Sequence, residues 1–278
     1  MGKGKNGCDE ISSIRDLIEP GQAGHSADTV ALIAEEQALQ DGSLTEKELD
    51  TPSFSLADSR FCTTSLLGIF AGGGFGKSFL CQAEIAYWAE QQVPVLIIDN
   101  TGEYAELAQQ SGTTIQVDDA NAKTITLDLN SPLLYLDCTK LSGHLWASLI
   151  PDVCQAINSH CAQQADGHKM LFYLDEAQDF IGGRASAALR QLAKISPQQL
   201  NTTIVSYMPS SFCGYKSSLL QGGKNEQHLF LELSGSEIKR LAKKLAGLCK
   251  DDCERLRWCG RDQALSHNNG VFKWVKLT

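Results

Sequence analysis

Residues 71–78 read Ala-Gly-Gly-Gly-Phe-Gly-Lys-Ser, a run whose residue types suit one chemistry, the cradling of a phosphate chain. Successive backbone N–H groups can turn inward to form an anion nest. Only residues with little or no side chain let that backbone approach a phosphate closely. Gly72, Gly73, Gly74 and Gly76 supply such a backbone, with Phe75 set between them. Lys77 adds a point charge for the β- and γ-phosphates, and Ser78 offers a hydroxyl to Mg²⁺. The residues form a Walker A pattern with Ala71 where the first glycine usually stands.

Two further segments place carboxylates at the ends of apolar runs. Residues 171–176 read Leu-Phe-Tyr-Leu-Asp-Glu. An apolar strand ending in Asp is the Walker B arrangement: Asp175 would hold Mg²⁺ through its water shell, and Glu176 would orient and deprotonate an attacking water. A strand end delivers such groups to the carboxyl edge of a parallel sheet, where α/β proteins bind ligands. Taken alone, the same pair could equally cap the following helix. Residues 95–104, Val-Leu-Ile-Ile-Asp-Asn-Thr-Gly-Glu-Tyr, repeat the pattern with Asp99 at the strand end and Glu103 after a turn at Gly102.

These groups need a scaffold of strands and helices. Short apolar runs at 65–70, 93–98, 114–117, 124–129, 133–136, 170–174, 202–206 and 229–233 predict strands, several buried on both faces. Helical patterns are expected over 77–91, 144–162 with a kink at Pro151, 185–193 and 236–248. A helix that begins at Lys77 aims its positive dipole end at the same anion as the loop. Strands alternating with helices predict an α/β fold with a mainly parallel sheet and helices on both faces. Residues 1–60 read as a polar N-terminal helical and linker region, with helical spacing over 29–40. Residues 61–278 read as the main domain, with a C-terminal helical and hairpin appendage.

The ordered set of motifs resembles the HerA–FtsK superfamily of ring-forming motor ATPases, within it the conjugative-transfer and type IV secretion branch. Gly72 to Phe79 looks like that family's phosphate loop and Ile98 to Tyr104 like its Asp-x-x-Gly-Glu-Tyr signature. Leu134 to Leu141, with Asp137, looks like its Tyr-Asp-x-x-x-Leu strand, and Asp175-Glu176-Ala177 like its Asp-Glu-Ala box. The resemblance implies a RecA-like P-loop core, ATP and Mg²⁺ as cofactors, and Asp99 and Glu103 near the nucleotide. It also implies a ring, usually a hexamer, that moves DNA or protein at a membrane channel. The branch usually carries Gln at the end of the strand after the Asp-Glu-Ala box, whereas residues 205–208 read Val-Ser-Tyr-Met here. The chain is also short for that branch.

Weaker signals surround this core. Arg184 and Arg190 follow the acidic pair, and ring ATPases often supply an arginine across the subunit interface. Arg190 is the favoured candidate, against the plainer reading of a solvated helix charge. Lys239, Arg240, Lys243 and Lys244 form a basic stripe at helical spacing that could touch DNA phosphates or simply face solvent. Cys249, Cys253, Cys259 and His267 invite a zinc reading, but a C-x3-C spacing lacks the tight knuckle of known sites. The ten cysteines are scattered, and those in apolar runs, such as Cys81 and Cys154, read as small buried hydrophobes.

Composition bounds the function. A net charge of −9 disfavours coating nucleic acid through bulk charge but leaves room for a locally basic pore. No run approaches the roughly 20 apolar residues that span a bilayer. The expected location is the cytoplasm or the inner face of the membrane. Three functions fit: a secretion or conjugation motor, a viral DNA-packaging or HerA-like translocase, and a weakly hydrolysing assembly subunit. Channel subunits, capsid subunits or DNA are the corresponding partners.

Overall fold

The computed structural model describes residues 53–55, 65–164, 168–179, 183–212, 226–260, 262–268 and 270–277. All fall within one compact unit, Thr51–Thr278. The helix expected over 29–40 lies outside the described residues.

The β-strands are β1 (Ser53–Phe54), β2 (Leu66–Phe70), β3 (Val95–Asp99), β4 (Thr113–Asp118) and β5 (Leu133–Lys140), then β6 (Met170–Leu174), β7 (Leu200–Ser206), β8 (Glu226–Phe230), β9 (Gln263–Asn268) and β10 (Val271–Leu277). They form one sheet in the order β1-β10-β9-β8-β2-β7-β6-β3-β5-β4. Every pairing from β8 to β4 is parallel, while β9 and β10 add an antiparallel hairpin on the β8 side. The α-helices are α1 (Lys77–Glu90), α2 (Ala105–Ser111), α3 (Gly143–Gln163), α4 (Gly183–Leu192), α5 (Gly235–Ala242) and α6 (Lys250–Arg255).

The continuous apolar runs have the expected cause. In β3 all five residues are buried. Leu96 and Ile98 face one core with Leu149 and Val153 of α3, Leu189 of α4 and Ile238 of α5. Val95 and Ile97 face the other with Cys81 and Ile85 of α1 and Ala108 of α2. Successive residues of a strand point to opposite faces, so a strand covered on both sides tends to a near-continuous apolar run. Tyr173 of β6 donates a hydrogen bond to the buried carboxylate of Glu84, which ties α1 to the acidic strand.

Two expectations are corrected. Residues 124–129 form no strand; they follow a turn in which Asn121 and Asp118 satisfy the local backbone. Ile125 and Leu127 pack onto the core without sheet pairing. The helix expected over 236–248 stops at Ala242, and α6 resumes at Lys250. α2 has no counterpart among the expected elements, and α3 passes through Pro151 as a single helix.

Because both faces of β3 are buried, Ile97→Ala and Ile98→Ala should each cost about 2–5 kcal/mol of stability. A strand with one wet face would show that loss for only one of the two. Urea unfolding of both variants checks it.

Candidate functional site

The parallel sheet brings the ends of β2, β3, β6 and β7 to one edge, with β7 inserted between β2 and β6. The end of β7 therefore lies between the phosphate loop and the acidic pair. The Ala71 N–H donates to the Ser206 carbonyl at 3.2 Å, and the Gly72 N–H to the Glu232 carbonyl at 2.7 Å. Ala71 thus belongs to the strand side of the motif. Its methyl is fully buried in the core, which explains why alanine is tolerated where glycine is usual.

Beyond Gly72 the loop opens. Gly74 and Gly76 adopt φ of 81° and 84°, a left-handed backbone that favours glycine. Gly76 sits at the N-cap of α1, with no side chain capping the helix. The first N–H groups of the helix are free to meet an anion. Phe75 turns its ring back over Gly72, where a Cβ would come within 2.9 Å of it. Gly73 is exposed and Phe79 is 77% exposed, on the rim of the loop.

Lys77 and the carboxylates converge behind this loop. Lys77 is buried, with its Nζ 3.8 Å from Glu176 Oε1. Glu176 follows β6 in a left-handed conformation, φ 43°, costly for a non-glycine residue and sustained only where surroundings over-determine it. Its other oxygen, Oε2, accepts from Gln178 Nε2 at 2.6 Å. Ser78 donates its hydroxyl to the exposed carboxylate of Glu103. The Glu103 carbonyl accepts from Gln82 Nε2 at 2.7 Å, fixing the 103 loop to α1.

Asp175 is buried, and its Oδ1 has no hydrogen-bond partner. Oδ2 has a long contact, 3.4 Å, from the Thr101 hydroxyl. Burial first, then the charges of Asp99, Glu176 and Glu103, push its carboxyl up to about 8. An orphaned buried carboxylate oxygen at the end of β6 fits a hydrated divalent cation held jointly with a nucleotide. Among the described residues no group of three His, Cys, Asp or Glu side chains could cage a metal by itself.

Asp99 is placed differently from the rest. It is fully buried and accepts five hydrogen bonds. They come from Thr101 N and Oγ1, Gly102 N, Tyr104 N and the Tyr135 hydroxyl. Both oxygens accept hydrogen bonds, so Asp99 builds the loop that carries Glu103. Asp137 does the same one strand over, accepting from Thr139 N and Oγ1. Asn100 bridges to Asp179 at 3.0 Å, joining the turns after β3 and β6.

The structure does not bring Arg190 to this group. It stands in the last turn of α4, a helix whose following residue Ile195 accepts a hydrogen bond from Ser65 at the start of β2, the opposite edge of the sheet. Arg184 is exposed near the start of α4. The zinc candidates also separate by role. Cys249 caps α6 through Asp252, while His267 stacks on Phe272 and His228. Cys81 and Cys154 are buried in the core as expected. Gln178 and Ser206 were invisible as site residues; an Asp-Glu-x-Gln order was the one available signal, and it predicts no contact by itself.

A glycine loop at a strand-to-helix turn, a buried lysine and a strand-end Asp-Glu pair define a P-loop ATPase core. Residues 42–245 match the family model described as Helicase HerA, central domain, and the chain belongs to that family. It lies in the HerA–FtsK superfamily, as the motifs imply. No curated protein matches it. Among solved structures it resembles VirB4 of Thermoanaerobacter pseudethanolicus, with TM-score 0.61, 13% identity, and 78% of this chain and 90% of that one covered. It also resembles the DNA-packaging ATPase from Sulfolobus Turreted Icosahedral Virus, with TM-score 0.54, 12% identity, and 77% and 98% covered. The related packaging NTPase from Sulfolobus turreted icosahedral virus 2, in complex with AMPPCP, gives TM-score 0.53 at 12% identity, with 78% and 99% covered. At these identities the likeness concerns the fold. Among the described residues, no helix is long and apolar enough to cross a membrane.

Two predictions follow from the carboxylates. Asp99→Ala strands several buried donors, each costing about 1–3 kcal/mol, and should unfold at markedly lower urea than Asp99→Asn. The second concerns pH. Asp175 has a raised carboxyl, so between about pH 4 and pH 8 the folded chain holds a proton that the unfolded chain has lost. Nucleotide-free stability should therefore fall as pH rises through that window. Asp175→Asn should flatten the fall, as read from melting temperatures across pH.

Proposed function

We propose that this chain is the ATP-hydrolysing motor of a conjugative or type IV secretion system, coupling hydrolysis to movement of DNA or protein. The observation that carries the enzymatic part is the Lys77–Glu176 contact at the mouth of the glycine loop. It sets the phosphate-binding cation and the base side by side.

The chain's own residues then divide the work. The loop 72–76 and the first turn of α1 bind the phosphates through backbone N–H groups, and Lys77 exchanges its contact with Glu176 for the γ-phosphate. Ser78, with Asp175 through water, would hold Mg²⁺, which when bound neutralises phosphate charge. Glu176, released on one oxygen, accepts a proton from water as that water's oxygen bonds to the γ-phosphorus. The bond to the β–γ bridging oxygen breaks, and ADP leaves with its electron pair. Glu103 shares the Ser78 hydroxyl and so orders it before nucleotide arrives. Asp99 holds the loop that makes this possible. Phe75 and Phe79 shape the rim.

Among the described residues, Lys77 is the cation in ion-pair contact with the acidic pair. A ring, six-fold in the reading proposed here, would complete the site with an arginine from a neighbouring subunit, and Arg190 is the proposed donor. The 98% coverage of the viral packaging ATPase favours a second reading, a DNA-packaging or HerA-like translocase. The absence of glutamine at the end of β7 favours a third, a weakly hydrolysing assembly subunit. Co-purifying channel subunits support the first, DNA-stimulated turnover the second, and negligible turnover the third. The proposed location is the cytoplasm or the inner membrane face.

Lys77→Ala should abolish nucleotide binding or turnover without altering the fold. Glu176→Gln should bind Mg·ATP yet turn over about 10²–10⁴-fold more slowly. An arginine supplied in trans is worth about 10³–10⁵ in rate, so turnover per chain should rise with concentration as rings form. A dilution series with light scattering checks this. Unchanged turnover in Lys77→Ala, or a strictly monomeric species with high, concentration-independent activity, would contradict it.

A further inference from the structure

The end of β7 lacks the glutamine that the family resemblance leads one to expect, yet a glutamine amide lies against it. Gln178 sits in the short 3₁₀ turn Ala177–Asp179, two residues after Glu176. Its Nε2 donates to Glu176 Oε2 at 2.6 Å, and its Oε1 accepts from the Ser206 hydroxyl. The orientation of the amide is dictated by chemistry. An ionised carboxylate can only accept, so the NH₂ group must face Glu176 and the carbonyl must face Ser206. Ser206 Oγ in turn accepts from the Met208 N–H at 3.0 Å, so the hydroxyl donates once and accepts once. The Ser206 carbonyl meanwhile receives the N–H of Ala71 at the head of the phosphate loop.

We propose that Gln178 positions Glu176 and links it to Ser206 at the end of β7, a contact made from the acidic turn and not from a glutamine on the strand itself. This inference rests on the ATPase reading above. Glu176 needs such a partner, because its left-handed backbone is costly and Lys77 holds only one of its oxygens. When the γ-phosphate draws Lys77 away, Gln178 remains as the group that fixes the carboxylate's direction. A hydrogen-bonded base keeps one orientation, and a base that can rotate does not.

The chain of contacts continues beyond the site. After Met208 comes the 3₁₀ turn Pro209–Phe212, in which Ser210 N and Oγ both donate to the buried Glu237 of α5, at 3.2 and 3.1 Å. Glu237 also accepts from Arg240 at 2.8 Å, and Lys244 Nζ donates to the Ser210 carbonyl at 2.7 Å. A change at Glu176 therefore reaches the turn on which α5 is clamped. That helix and the residues just after it present Lys239, Arg240, Lys243 and Lys244 on their exposed side.

The test compares Gln178→Ala, Gln178→Glu, Ser206→Ala and the double variant Gln178→Ala/Ser206→Ala. Loss of an outer positioning partner typically costs about 10–100-fold, so kcat should drop by that order in Gln178→Ala while nucleotide affinity stays unchanged. Gln178→Glu keeps the size and an acceptor for Ser206 but loses the donor, so kcat should fall at least as far; a packing role alone would be preserved. The double variant should be no slower than the slower single variant, because both act in one chain. Wild-type kcat in Gln178→Glu, or additive losses, would overturn the proposal. Amide exchange supplies a readout independent of turnover. Addition of a non-hydrolysable ATP analogue should change exchange at Met208 and the 209–212 turn in the unmodified protein, and Gln178→Ala should lose that change. If the unmodified protein shows the change without turning over ATP, the hydrolysis reading fails and the link stands. If no change occurs, the link fails.

Discussion

The site is organised around a charge imbalance. Asp99, Glu103, Asp175 and Glu176 crowd the carboxyl edge of the sheet, and among the described residues Lys77 is the cation in ion-pair contact there, with Glu176. Like charges in a buried space cannot all be ionised at ordinary cost, and Asp175 shows the consequence in its raised carboxyl. The imbalance is tolerable because each carboxylate is given a different answer. Asp99 is saturated by five donors, Glu103 reaches solvent and Ser78, Glu176 takes Lys77 and Gln178, and the Asp175 carboxyl is pushed up by burial and its acidic neighbours. Such a site has a standing affinity for added positive charge, which a hydrated divalent ion would satisfy.

Everything else in the fold serves to deliver these groups to one edge. Parallel pairing puts all carboxyl ends on the same side, and the register of β3 against β5 sets Asp99 opposite Asp137. Each then nucleates a loop by accepting nearby N–H groups, so two strand-end aspartates do structural work of the same kind. The insertion of β7 between β2 and β6 has the larger effect. It places Ser206 in contact with the head of the phosphate loop on one side and the turn after Asp175 on the other.

Much of this was readable from the chain because the relevant chemistry is local. Walker A and the two acidic strand ends are contiguous runs, and the buried strands β3 and β6 announce themselves by near-continuous apolar runs. The misreadings have physical causes. Residues 124–129 alternate apolar and polar side chains, but local turns at Asn121 and Asp128 satisfy their surroundings and leave Ile125 and Leu127 to pack without a ladder. The position of Asp99 implies nearness to the nucleotide, and the geometry adds that its oxygens hold the loop that carries Glu103. The Asp-Glu-x-Gln order alone did not give Gln178 its role, since that role depends on β7 inserting between β6 and the distant β2.

The substitution at the end of β7 also alters how a nucleotide signal would travel. A glutamine on the strand itself would sense the γ-phosphate directly and move with β7. Here the strand end carries Ser206, whose hydroxyl is engaged by Gln178, and Gln178 touches Glu176, the proposed base. Information about the nucleotide would then reach β7 through Glu176. Hydrolysis and strand movement would share one hydrogen-bonded carboxylate, so a change that frees Glu176 as a base would also loosen the turn beside α5. Such coupling needs no direct phosphate sensor. It does need Glu176 to be held from two sides, which is the arrangement that Lys77 and Gln178 make.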